Sequence, residues 1–211
     1  VIRLLALLLL LGSSVPVLAQ APYHGSGQTG ATVGASGLHT TKVDVTSLGV
    51  DVVGTVAPRV DLAATVAYVR PSASYLDGWS ATGTGTVYPL AGPAAWLGLT
   101  AGLSHVRAAY ADGTSVVLGA SVAGRVEAGG VTLVPQASVA MLSELDGRTD
   151  ADGTVGLGLA LGIVVPTRAA PLIIEPTVSV ADDSGFRTSQ GTLRYDLSYG
   201  ASLRLLFSRG G

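Results

Sequence analysis

Side chains able to carry acid–base or nucleophilic chemistry are sparse in this chain of 211 residues, which has three His, no Cys and 14 acidic residues against 12 basic ones. His39 with Asp44, and the acidic segment holding Asp146, Asp150 and Asp152, are the materials for rim hydrolysis of a peptide. Ser104 next to His105 is the nearest approach to a nucleophile with its base. That chemistry needs the two groups within hydrogen-bond reach, and neighbouring residues of an extended strand point to opposite faces. The segment 146–153 lacks the Asp-x-Asp-x-Asp-Gly spacing and the later Glu of a calcium loop. It reads instead as an Asp- and Gly-rich turn, as does 182–185. Gly156 and Gly158 precede no helical pattern and so form no dinucleotide fingerprint. The expectation is a protein without cofactor, metal or catalytic centre.

A second set of charges is placed differently. Asp51, Arg125, Glu127, Glu175, Arg194, Asp196 and Arg204 fall on the polar alternates of apolar runs, with the two signs nearly balanced. In the last run, Leu193, Tyr195, Leu197, Tyr199, Ala201, Leu203, Leu205 and Phe207 alternate with Arg194, Asp196, Ser198, Gly200, Ser202, Arg204 and Leu206. Period-two alternation puts the two sets on opposite faces of a strand. The same pattern recurs through Leu172–Val180, Val155–Val165, Val116–Val126 and Leu48–Val56. Nowhere does an amphipathic helical spacing replace it.

Turn signals cut the alternation into about ten strands, near 29–38, 43–56, 61–70, 80–89, 95–106, 114–127, 131–143, 154–165, 172–181 and 192–207. The connections alternate in kind: short ones carrying Pro or Gly, such as Ala57-Pro58-Arg59-Val60, and longer polar ones such as 71–80. Ahead of the strands, Arg3 and the apolar run Leu4–Leu11 lead to Val17-Leu18-Ala19, the layout of a secretory signal peptide with its cleavage site. The run is too short for a spanning helix, which needs about 20 apolar residues. The expected organisation is a signal peptide over 1–19, a flexible lead-in over 20–28 and one β-domain over 29–211.

Composition decides what lies outside that domain. Only 12% of residues are charged, and the net charge is −2, with no basic run to meet a phosphate backbone, so nucleic acid is excluded as a partner. A soluble barrel or sandwich would carry Lys, Glu, Asp and Arg on its outer face, whereas the polar alternates here are mostly Gly, Ala, Ser and Thr. In a transmembrane barrel the apolar set meets lipid, and small or polar residues fill the lumen. Closure also pairs every backbone group in a solvent without hydrogen bonds. The reading is an all-β, single, antiparallel up-and-down transmembrane barrel of about ten strands, with eight as the fallback count. Trp79, Tyr88, Trp96, Tyr68 and Phe207 fall near strand ends, where an interfacial aromatic girdle is expected.

The segment Ser198-Tyr199-Gly200-Ala201-Ser202-Leu203-Arg204-Leu205, continued by Phe207, resembles the assembly signal in the last strand of bacterial outer-membrane barrels. It departs from that pattern in being followed by Ser208-Arg209-Gly210-Gly211. Val56–Ala63 is similar to a periplasmic hairpin of the OmpA-like or porin-like superfamily of small barrels. The resemblance implies an outer-membrane location, long loops outside, short turns in the periplasm, and lipid as the surrounding partner. It also implies recognition by the barrel-assembly machinery through Gly200, Leu203, Leu205 and Phe207.

Narrow barrels are filled by their own side chains, while 16–18-stranded porins leave a channel. The seven polar-face charges are therefore expected to pair across a largely filled lumen, leaving a structural or surface-interaction role whose ligand is unspecified. A narrow passive pore for ions or small solutes is the alternative, and a hydrolase acting on lipid or peptide stands third.

Overall fold

The computed structural model describes residues 21–24, 29–41, 44–71, 77–108, 111–145, 154–182 and 195–209. After a short helical turn, α1 (Ala21–His24), the chain forms β1 (Thr29–Thr40), β2 (Val45–Ala57), β3 (Val60–Pro71), β4 (Gly78–Ala91), β5 (Ala95–Ala108) and β6 (Ala111–Gly124). Then follow β7 (Val126–Ala128), β8 (Val131–Glu144), β9 (Thr154–Val165), β10 (Leu172–Asp182) and β11 (Tyr195–Arg209). Both β6 and β7 pair with β8, so they are one stave interrupted at Arg125. The sheet thus has ten staves, each antiparallel to the next in sequence.

Closure comes from pairing the first strand with the last, in a continuous register from Thr29↔Arg209 to Thr40↔Ser198. Gly200 sits on this seam, and a Cβ there would lie 2.1 Å from the Gly37 carbonyl oxygen. Only glycine fits such an approach. At the short-turn end, the hairpin between β7 and β8 turns on Gly129 and Gly130, both with positive φ (58° and 88°). That pair of left-handed residues is what a two-residue hairpin turn requires.

The alternation in the sequence becomes an exterior and an interior. Leu48, Val50, Leu157 and Leu159 are each at least 60% exposed on the outer wall, while Asp51, Glu175 and Arg204 are under 5% exposed. A water-soluble fold has the opposite polarity, so the outer wall is the surface that meets hydrocarbon. Among the described residues no helix is long and apolar enough to cross a membrane. The spanning is done by the strands.

Two expectations change at the level of side chains. Tyr88 and Trp96 do not join an aromatic girdle: both point inward, are almost fully buried and pack on each other. Trp79, Tyr68 and Phe207 do face outward, and Tyr199 joins them. The interior is also less uniformly polar than the alternation implies. Tyr23, Ala123, Val134, Val164, Ile173 and Leu206 form a buried apolar cluster inside the short-turn end.

Candidate functional site in the barrel lumen

At mid-height the lumen wall carries an ion layer. Arg204 on β11 donates from Nε to Asp51 Oδ2 on β2 at 2.9 Å and from Nη1 to Glu175 Oε1 on β10 at 3.0 Å. Its side chain crosses the face of β1 at Gly34, where a Cβ would meet Arg204 Cγ at 2.3 Å. The missing side chain of Gly34 is thus what lets one guanidinium reach carboxylates on both flanks. Buried charges persist only when paired and hydrogen-bonded, and this arrangement meets that condition with one cation for two anions.

The next participant comes from outside the sheet. Tyr23 in α1 enters the lumen from the short-turn end, and its hydroxyl donates to Glu175 Oε2. Gln136 Nε2 on β8 donates to the same phenolic oxygen at 2.7 Å and to Glu175 Oε2 at 3.2 Å. Glu175 therefore receives a guanidinium, a phenol and an amide. The phenol ring lies over Gly162 of β9, where a Cβ would fall 2.3 Å from the Tyr23 hydroxyl oxygen. Beside it, His24 rests against Gly30 of β1, where a Cβ would fall 2.3 Å from His24 Cε1. Two wall glycines thus form the seats of two plug side chains.

The α1 backbone is held as well. Arg125, at the break between β6 and β7, donates from Nη1 to the carbonyls of Pro22 at 3.1 Å and Tyr23 at 3.0 Å. The same guanidinium pairs with Glu127 through Nε at 3.0 Å and Nη2 at 2.9 Å, and Thr132 donates to the other Glu127 oxygen at 2.7 Å. Next to this clamp, Asp61 accepts from Tyr88 at 2.6 Å and from Thr55 at 2.7 Å.

The anticipated charges thus divide into groups. Asp51, Glu175 and Arg204 form the lumen layer; Arg125 and Glu127 pair at the short-turn end, where Glu127 is exposed rather than lumenal. Asp196 is buried near the long-loop end of β11, and Arg194 lies outside the described residues. Leu203, Leu205 and Phe207 are on the outer wall, while Gly200 is at the seam. Tyr23 and Gln136 had no place in the sequence-based network. Gln136 stands on the inward alternates of β8, so its side was readable; Tyr23 precedes any periodic pattern.

The histidines near the long loops occupy the outer rim. His39 Nδ1 is 3.2 Å from Thr46 Oγ1 and Nε2 is 4.0 Å from Asp44 Oδ1, while its ring tilts against Tyr199. His105 repeats this with Thr114 at 3.1 Å, Asp112 at 3.6 Å and Trp79. Ser104 is buried on the opposite, inner face and bonds Thr82 at 2.9 Å. Asp146, Asp150 and Asp152 lie outside the described residues.

Above the ion layer, toward the long connections, is a cavity of about 140 Å³ lined by hydroxyls including Ser36, Ser47, Thr82 and Ser138, with Glu175, Gln136 and Arg204 also on its wall. Below it, at the short-turn mouth, a second cavity of about 290 Å³ is lined by Tyr23, His24, Arg125 and Thr132. The phenol of Tyr23 stands between them, lining the lower cavity and bonding the wall residues of the upper one.

The closed sheet, its apolar exterior and its charged interior define an integral β-barrel of the outer-membrane kind. Within that class it is a ten-staved barrel that carries a segment of its own chain in the lumen. No protein-family model and no curated protein matches the chain. Among solved structures it is similar to a bacterial polysaccharide outer membrane secretin, at 11% identity and a TM-score of 0.49, over 83% of this chain and 64% of that one. It is also similar to the outer membrane protease OmpT from Escherichia coli, at 9% identity and a TM-score of 0.41, over 86% of this chain and 95% of that one. The beta domain of the Bordetella autotransporter BrkA matches at 14% identity and a TM-score of 0.41, over 85% of this chain and 99% of that one.

Proposed function

We propose that this is a closed-lumen outer-membrane barrel whose role is structural or interactive at the cell surface, exerted through its long connections and outer rim. The observation that carries this reading is the position of Tyr23 between the two lumen cavities, held by Glu175, Gln136 and the Arg125 clamp. Two wall glycines that seat Tyr23 and His24 support the occupied lumen as the resting state. The twin histidine clusters support a rim role over hydrolysis. The same His, Thr, Asp and aromatic set occurs on two separate hairpins, as expected of a device that fixes the membrane boundary.

The test is single-channel recording of the refolded full chain in a planar bilayer. Silence across repeated insertions is the expected result. Steady, reproducible openings of the unaltered protein would replace this reading with that of a narrow passive pore.

A further inference from the structure

We infer that the barrel holds a latent passage for small monovalent cations, closed by the Tyr23–His24 segment, and that displacing this segment opens it. The inference rests on the closed-lumen reading above and goes beyond it.

The two cavities approach each other at Tyr23. The upper cavity reaches down to Glu175 and Gln136, and both of these residues bond the Tyr23 hydroxyl. The lower cavity reaches up to the Tyr23 ring from the short-turn mouth. One phenol therefore stands where the two spaces would meet. The ion layer does not replace it as a barrier, because Arg204 lies along the wall in the recess left by Gly34.

The segment is docked by non-covalent contacts and forms no part of the sheet. Its contacts include the phenol bonds, two backbone carbonyls on Arg125, packing over Gly162 and Gly30, and the apolar side chains around the Tyr23 ring. The short helical turn pairs with no strand. Removing it from the lumen breaks no stave of the barrel.

Fixed charge in the interior sets the solute class. Among the described residues, the buried ion layer itself sets two carboxylates, Asp51 and Glu175, against one guanidinium, Arg204. Arg125, at the mouth, is matched by Glu127. An interior with excess fixed negative charge lowers the energy of a cation and raises that of an anion, as acidic rings do in cation channels. The hydroxyl oxygens of Ser36, Ser47, Thr82 and Ser138 add acceptors along the upper wall. Losing the Tyr23 hydroxyl also removes one donor from Glu175, which strengthens the negative potential at the narrowest point.

The experiment compares the unaltered full chain with Tyr23→Ala in planar bilayers under a potassium chloride gradient. Folding of each is checked by heat-modifiable gel migration and circular dichroism. The expected result is a silent parent and a Tyr23→Ala barrel that conducts with a reversal potential of cation sign; Tyr23→Phe, which keeps the ring, stays silent. If Tyr23→Ala does not fold, a protease site inserted in 25–28 and cut after folding, followed by a wash that strips the released segment, delivers the same opened barrel. A silent opened barrel overturns the inference and leaves the closed-lumen reading standing. A conducting barrel with no selectivity, or selectivity for chloride, overturns the cation assignment. A conducting parent overturns the closed-lumen reading itself, and this inference with it.

Discussion

The two halves of the lumen are built from the same strands and the same alternation, yet they are different materials. Toward the short turns, Val134, Val164, Ile173 and Leu206 pack around Tyr23, with Tyr88 and Trp96 on the opposite wall. That half resembles the interior of a soluble protein, where close packing and buried area supply stability. Toward the long connections, Val45, Val69, Val106 and Val117 are buried, but the open space there is lined by hydroxyls interspersed with small residues such as Gly49, Ala67 and Ala140. Bonds there join small groups, such as Thr40 to Ser198 at 2.8 Å and Thr82 to Ser104 at 2.9 Å. The ion layer lies at the boundary. The contrast shows that period-two patterning sets which face is inside but leaves the character of the inside to be chosen level by level.

The contrast can be broken most severely at its boundary. Arg204→Met leaves Asp51 and Glu175 buried without their cation, a change worth about 3–5 kcal/mol when one partner of a buried pair is removed. Urea unfolding of the barrel in lipid vesicles should show this loss, and an unchanged midpoint would mean the layer is hydrated. Next in size is Ile173→Ala in the packed half. Removing a fully buried Ile side chain costs about 2–5 kcal/mol, and the same unfolding assay reads it. Thr82→Val in the open half removes only its bond with Ser104 and should cost about 0.5–1.5 kcal/mol. Equal losses for Ile173→Ala and Thr82→Val would erase the distinction between the halves.

The smallest effect is one of pH. Burial in the lumen mouth pulls the His24 imidazole below its ordinary value; Asp61 opposes this and Arg125 reinforces it. His24 therefore docks in its neutral form. Docking stabilisation from this group is complete above its ordinary pKa of about 6.5 and is lost as pH falls from there through the depressed value. The chain has no Cys, so Pro22→Cys gives a clean thiol probe. Its labelling rate, normalised to that of Arg59→Cys at the exposed short turn, should rise between pH 7.5 and pH 5.5. A constant ratio would show that His24 protonation does not loosen the segment.

Much of this architecture is legible in the sequence because lipid and lumen impose opposite demands on adjacent residues. The staves begin and end within a few positions of where alternation and turn residues put them, as at 154–165 and 131–143 against Thr154–Val165 and Val131–Glu144. Asp51, Glu175 and Arg204 are legible as lumen charges for the same reason, although their meeting depends on the closed seam and on Gly34, which no local pattern reveals. Glu127 escapes because alternation stops having meaning at Arg125, where the stave is interrupted and leaves the barrel mouth. Tyr88 and Trp96 escape because an aromatic near a strand end suits either face; only the neighbouring Asp61, which needs a donor, decides for the inside. Tyr23 escapes altogether, since a segment of Ala, Pro, Tyr and His has no period and its seats at Gly162 and Gly30 are far away in sequence.

The pairing of β1 with β11 has a consequence for the order of events in the life of the molecule. Every other neighbouring pair of staves is joined by a local hairpin and can form as soon as its own residues are present. The seam alone requires both ends of the domain, and contacts so distant in sequence form slowly because the intervening chain must first be ordered. Until then, two rows of amide groups lack partners, which hydrocarbon does not tolerate. A partly threaded barrel is consequently not a smaller version of the finished one but an unstable species. The commitment to the membrane is made in a single late step, when the strand around Gly200 finds the one around Gly37.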